Sequence, residues 1–282
     1  MKKIAVVTGA SSGMGREAAI QLADQFGWLD EIWLIARREE RLARLRQELP
    51  CPSRSFELDL TKQSALSALS SALEEENPRI VFLVNAAGYG KIGQVGTVSL
   101  SEEMGMSELN CTALTAVTHL TLPYMGTNSR ILQFASSASF LPQPGFAVYA
   151  ATKAFVLSYS RALGEEAKKR GIYVTAVCPG PVKTEFFDIA QTTGKIPLYK
   201  MLAMADPKKV VRLAIRDSVM KKSVSVYGPL MKLFRLAAKT LPHSLLLSLM
   251  AAVSPEQTVQ AEEGTCTHTQ NEYAGEQTYE TN

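Results

Sequence analysis

Metal-ligand spacing is missing from this sequence. Only three histidines occur, His119, His243 and His268, and none stands at a zinc-ligand interval from a cysteine. The four cysteines, Cys51, Cys111, Cys178 and Cys266, form no C-x-x-C pair, which excludes a zinc ribbon or a dithiol redox centre. Cys51, Cys111 and Cys178 fall within helix and strand patterns, so reduced thiols in a cytoplasmic protein are the expectation. A G-x-S-x-G elbow is absent, which argues against a serine hydrolase. No run reaches the roughly 18 apolar residues of a transmembrane helix. The opening apolar run, Ile4 to Val7, ends at a Gly/Ser turn and is too short for a secretory signal. A net charge of +3 makes no electrostatic case for nucleic acid. Lys, Arg and Asp are all absent after Ser254, where six Glu stand. The body is therefore basic and the end acidic.

What is present alternates. "KKIAVV" is a short β-branched run closed by a turn, and "MGREAAIQLADQF" then repeats apolar residues at helical spacing. "EIWLIA" precedes the charged helix pattern "REERLARLRQEL", and "RSFELDL" precedes "QSALSALSSALEEE". "RIVFLVNAAG" leads to a long helical stretch around 101–125, "SRILQFASS" to another helix, and "GIYVTAVCPG" and "SVSVYG" bracket a helix at about 207–220. Strands alternating with helices predict an α/β fold: a Rossmann-like, doubly wound parallel sheet of about seven strands with helices on both faces. Residues 1–253 read as one domain including a helical extension at 229–253, and 254–282 as a disordered polar acidic tail. Ligands in such sheets bind beyond the carboxyl ends of the strands.

The turn "TGASSGMG" follows the first strand and opens the first helix. Gly9, Gly13 and Gly15 let the backbone turn sharply and approach a pyrophosphate; a tight turn with no ligand is the plain alternative. The second strand ends "LIARREERL", with Arg37 and Arg38 where NAD-binding folds place an acid. A guanidinium suits a 2′-phosphate, so NADP(H) is expected over NAD(H), unless the following glutamates pair with these arginines. Asp59 can hydrogen-bond the adenine amine or cap a helix.

"YAATK" holds the sole Tyr-x-x-x-Lys, Tyr149 and Lys153, one helical turn apart. Together with "TGASSGMG", "NAAG" (Asn85 to Gly88) and "CPGPVKT" (Cys178 to Thr184), it makes residues 1–228 resemble the short-chain dehydrogenase/reductase family. The resemblance implies catalytic places for Asn110, Ser136, Tyr149 and Lys153, with Ser137 as rival to Ser136. It further implies cofactor contacts from Ser11, Ser12, Met14, Leu60, Asn85, Ala86, Gly88, Pro179, Gly180, Val182 and Thr184, besides the residues above, Tyr149 and Lys153. Ala86 departs from the family's frequent second asparagine, which puts a structural hydrogen bond in doubt. Chemically, an ammonium near a phenol favours the phenolate and brings the tyrosine toward working pH. Ser136 would donate to the developing oxyanion.

The activity implied is hydride exchange between NADP(H) and a ketone or secondary alcohol on a hydrophobic substrate of steroid, acyl or aryl type. A 3-oxoacyl-thioester reductase uses the same residues, and a cofactor-sensing protein that lost turnover is the non-enzyme alternative. "FLPQPGF" (140–146) and Phe186, Phe187, Ile189, Tyr199, Met201 and Met204 are candidate pocket residues or ordinary packing, and Lys195 and Lys200 could meet a phosphopantetheine. The basic amphipathic stretch 229–253 can cover that pocket, join subunits of a homodimer or homotetramer, or lie on a membrane; pocket cover or oligomer contact is expected first.

Overall fold

The computed structural model describes residues 1–190 and 204–253, with side chains to residue 248. The expectations for Lys195, Tyr199, Lys200, Met201 and 254–282 lie outside the described residues. Seven strands, β1 (Lys3–Thr8), β2 (Glu31–Ala36), β3 (Ser53–Glu57), β4 (Arg79–Asn85), β5 (Met125–Phe134), β6 (Tyr173–Val177) and β7 (Val224–Ser225), pair in parallel in the order β3-β2-β1-β4-β5-β6-β7. The helices are α1 (Gly13–Gln25), α2 (Glu39–Glu48), α3 (Gln63–Glu76), α4 (Leu100–Ser107), α5 (Leu114–Thr121), α6 (Ala147–Ala167), α7 (Phe186–Ala190), α8 (Pro207–Val219), α9 (Pro229–Thr240) and α10 (His243–Val253). The expected doubly wound fold is the one observed. "SVSVYG" supplies only a two-residue strand, Val224 and Ser225 against Ala176 and Val177.

Strand side chains alternate between faces, and each face buries its own set. Ala5 and Val7 of β1, with Ile32 and Leu34 of β2, pack on Ala18 and Leu22 of α1, Leu42 of α2 and Val211 of α8. Ile4, Val6, Trp33 and Ile35 face Leu69 and Leu73 of α3, Val117 of α5 and Leu163 of α6. Strand order reverses between β1 and β4, so their carboxyl ends open a crevice at Thr8 and Asn85.

The single helix expected over 101–125 is broken. A π-turn, Glu108–Ala113, separates α4 from α5, a 3-10 turn follows at Leu122–Tyr124, and Met125 already belongs to β5. Hydrophobic spacing does not register one widened turn, but side-chain bonding does. Asn110 in that turn is held by the backbone of Tyr89, donating from Nδ2 to its carbonyl at 2.9 Å and accepting at Oδ1 from its amide at 3.1 Å.

Leu83 is fully buried in β4. Leu83→Ala is expected to cost about 2–5 kcal/mol, read as a lower denaturation midpoint at unchanged slope.

Candidate active site

Tyr149 and Lys153 occupy one face of α6 and are only 7% and 6% exposed. The Tyr149 ring is wedged between two others: Phe146 stacks on it at 4.2 Å and Phe186 tilts against it at 5.3 Å. The Lys153 ammonium lies 5.6 Å from the Tyr149 ring centroid and donates to the Phe134 carbonyl, the last of β5, at 2.8 Å. The sheet thus anchors the lysine, and the helix sets its distance from the tyrosine.

Electrostatically, the pair departs from the expectation that the ammonium brings the phenol toward working pH. Burial pushes the Tyr149 phenol up to about 12, with the Ser136 hydroxyl pulling the other way. Burial likewise brings Lys153 down to about 8. Loss of hydration therefore dominates, and the phenol stays protonated at neutral pH.

Ser136, not Ser137, faces that hydroxyl. Ser136 lies two residues beyond β5 in extended backbone, and its Oγ accepts from the Ala138 amide at 3.1 Å as the next turn begins. Ser137 donates its amide to the Pro179 carbonyl at 2.7 Å, tying the serine loop to the Pro-Gly turn. Asn110 is fully buried and its Nδ2 also donates to Thr152 Oγ1 at 3.0 Å. A Cβ at Gly88 would stand 2.8 Å from Asn110 Oδ1 and 3.3 Å from Lys153 Nζ, so only glycine leaves that gap open.

Gly9 (φ 67°) and Gly13 (φ 54°) take left-handed backbone in the loop after β1. A Cβ on Gly9 would meet the Ala87 amide nitrogen at 2.7 Å, so the loop lies directly on the end of β4. Ser12 precedes α1 without capping it, leaving that N-terminus without a side-chain acceptor. Thr184 faces Gly13, where a Cβ would lie 3.5 Å from Thr184 Cγ2. Met14 packs at the edge of the core. This cradle fits a dinucleotide pyrophosphate.

Arg38, more than Arg37, reaches over the loop. It donates to Ser12 Oγ at 2.8 Å and to Ser11 Oγ at 3.2 Å. Glu39 and Glu40 do not take it; Glu39 instead accepts from Ser55. Its carboxylate partner is Glu185, at 3.1 Å, which also pairs with Arg41 at 2.6 Å. The Arg41 bond holds the Glu185 carboxyl below its usual range; burial opposes it, and the Arg38 bond adds to it.

Other candidates turn elsewhere. Asn85 is buried and donates to Thr118 Oγ1 at 3.0 Å, beneath the crevice, and Leu60 sits in the core. Asp59 accepts from Thr61 amide and hydroxyl at 3.1 and 2.8 Å in a local turn. Burial opposes ionisation there, yet the Thr61 bonds and nearby Arg37 hold that carboxyl below its usual range. At Ala86, where the side chain has no polar group, the Ala86 and Ala87 amides both donate to Thr8 Oγ1 at 3.2 Å. Gly180 touches α9, where a Cβ would lie 2.7 Å from Met231 Sδ, and Val182 bridges Ala205 beside buried Pro179.

A family model described as short chain dehydrogenase matches residues 3–193. The chain belongs to that family. Sulfoacetaldehyde reductase 2 of Chromohalobacter salexigens is 38% identical over 192 residues, covering 66% of this chain and 75% of the relative. A very-long-chain 3-oxoacyl-CoA reductase of Laccaria bicolor is 34% identical over 203 residues, 68% of this chain and 59% of the relative. Among solved structures, a short-chain dehydrogenase from Sphingobium yanoikuyae in complex with NADPH superposes with TM-score 0.72 at 28% identity. It covers 92% of this chain and 99% of the neighbour.

Within this short chain dehydrogenase, several neighbours of the pair escaped the sequence analysis. Tyr89, Ile92 and Met106 pack around Tyr149 with Phe146 and Phe186. Tyr89 and Ile92 follow "NAAG" without any periodic signal, and only the fold brings them back. Thr152, Arg41 and Glu185 carry no motif of their own. Gly90→Ala tests the packing directly. Its Cβ would fall 2.6 Å from Tyr149 Cδ2 and 3.0 Å from the Phe146 and Phe186 rings. Displacing Tyr149 should lower turnover at least tenfold while cofactor affinity, measured by fluorescence titration, changes little.

Proposed function

We propose that this oxidoreductase transfers hydride between NADP(H) and a ketone or secondary alcohol on a hydrophobic substrate. The observation that carries this is a buried Tyr149 phenol beside Ser136 and Lys153, at the strand ends that also hold the glycine cradle. A bound nicotinamide dinucleotide supplies the hydride. The chain's own residues supply the rest.

Protonated Tyr149 donates its hydroxyl proton to the carbonyl oxygen as negative charge grows there. Ser136 Oγ supports the same oxygen, a contact of the kind worth about 3 kcal/mol. Lys153, fixed by the Phe134 carbonyl, keeps positive charge below the phenol and stabilises the phenolate left behind. Asn110, held by Tyr89 and Thr152, sits within reach of the lysine across Gly88. The pyrophosphate would lie on the Gly9–Gly15 loop, and Thr184 would close over it. NADP(H) is favoured because Arg38 spans Ser11 and Ser12 while Arg37 stands close enough to act electrostatically on Asp59. Glu185 now takes the place an anion would have between Arg38 and Arg41.

The apolar wall of Tyr89, Ile92, Met106, Phe146 and Phe186 favours a hydrophobic carbonyl, and the Laccaria relative gives the 3-oxoacyl-thioester form of that substrate specific support. Screening NADPH oxidation against sulfonated, acyl-thioester, steroid and aryl carbonyls decides among them. Turnover only of small charged aldehydes would overturn the hydrophobic assignment.

Tyr149→Phe should abolish turnover and leave NADPH affinity nearly unchanged; retained turnover removes Tyr149 as the acid. Arg38→Ala should raise the Kd for NADPH at least tenfold with little change for NADH, a charge-assisted contact being worth about 1.5–3 kcal/mol. Arg37→Ala should act in the same sense but less. An equal loss for both cofactors in either variant would defeat the assignment of that arginine. Lys153, brought down to about 8, is cationic below that pH and neutral above it. The kcat/KM for reduction should therefore fall as pH rises through about 8, and a flat profile from 7 to about 10 would remove the lysine from the mechanism.

A further inference from the structure

Helix α9 has two unlike faces. Its inner face meets the rim of the active site: Met231 on Gly180, Phe234 on Phe140 at 6.3 Å, and Ala238 buried. Arg235 is exposed, with its guanidinium 6.0 Å from the Phe140 ring centroid. Pocket cover, one of the expected roles for this stretch, is thus consistent with one side of the helix. The other side is bare. Leu230, Leu233 and Leu236 are 59%, 63% and 57% exposed, and Leu241 and Leu245 continue the apolar surface at 43% and 49%.

Lys232, Leu236 and Lys239 follow at i, i+4 and i+7, so exposed cations flank Leu236 along one line beside the other leucines. Among the described residues neither lysine forms a salt bridge. From Gly228 to Val253 the sequence contains no Asp or Glu at all. No described helix is long and apolar enough to cross a membrane.

We infer that α9 and α10 dock on an anionic lipid bilayer, lying in its interfacial plane. Leucines enter the acyl boundary while Lys232 and Lys239 stay at the headgroups, an arrangement that needs both apolar area and negative charge from the partner. A second copy supplies the first but not the second. Isologous contact along this face would set the same lysines against each other with no carboxylate to relieve them. The acidic segment after Ser254 matches the charge but not the leucines, having only Val259, Tyr273 and Tyr279 as large apolar side chains. A bilayer matches both. Because the opposite face of α9 borders Gly180 and Phe140, docking would bring the rim of the site to the lipid surface, whichever carbonyl it reduces.

Flotation of the intact chain with phosphatidylglycerol–phosphatidylcholine vesicles tests this, with phosphatidylcholine vesicles as reference. The protein should float with the anionic vesicles at low salt and be released at high salt. Removing each lysine should lower partitioning about fivefold, so Lys232→Gln with Lys239→Gln should lower it about 25-fold. Leu233→Gln with Leu236→Gln should also lose binding, and all four substitutions sit on the surface, so circular dichroism and the thermal midpoint should hold. The proposal is overturned by absence of flotation, or by equal binding to neutral vesicles. It is equally overturned by flotation indifferent to either variant, or by a concentration-dependent dimer, without vesicle binding, that the leucine variant splits.

Discussion

A phenol that has lost nearly all contact with water ionises only at cost, and Tyr149 is in that position between the rings of Phe146 and Phe186. Everything near it answers to that burial. Ser136 offers its hydroxyl an interaction, and Gly90 leaves clearance for its ring edge. Lys153 is buried as well, so its own charge is costly and is met by the Phe134 carbonyl. Burial resists the charged form of both groups, shifting their protonation in opposite senses.

The sheet makes this possible because it fixes one strand end to another. Phe134 closes β5, Thr8 closes β1 with its hydroxyl bonded to the Ala86 and Ala87 amides, and Asn110 is clamped to Tyr89 just beyond β4. These are short, directional contacts, and they place the glycine loop, the π-turn and α6 around one crevice. Glu185 then ties the arginines after β2 to the segment that carries Phe186.

Most of the fold was legible in the sequence because period carries it: strands of β-branched residues, helices at 3.6 spacing, and glycines where the backbone must turn. The pair Tyr149 and Lys153, and the loop of Gly9, Gly13 and Gly15, were legible because function constrains both identity and spacing. What was not legible has a common cause. The π-turn at Asn110 costs no hydrophobic signal, since one widened turn leaves the apolar faces in place. Arg38 outranks Arg37 over the loop only through side-chain direction. Glu185 meets Arg41 across 144 positions, a contact that no local pattern encodes. The expected effect of the ammonium on the phenol considered charge and left out burial, which is a property of the folded chain alone.

The central claim is that burial keeps Tyr149 protonated until a positive nicotinamide draws it down. An ultraviolet difference titration of wild type against Tyr149→Phe, without cofactor and with saturating NADP⁺, measures it directly. Without cofactor, no phenolate from Tyr149 should appear until the solution approaches its value of about 12. With NADP⁺ bound, that phenolate should appear at clearly lower pH. Phenolate forming near neutral pH in the cofactor-free protein, or a titration that NADP⁺ leaves unmoved, would contradict the account.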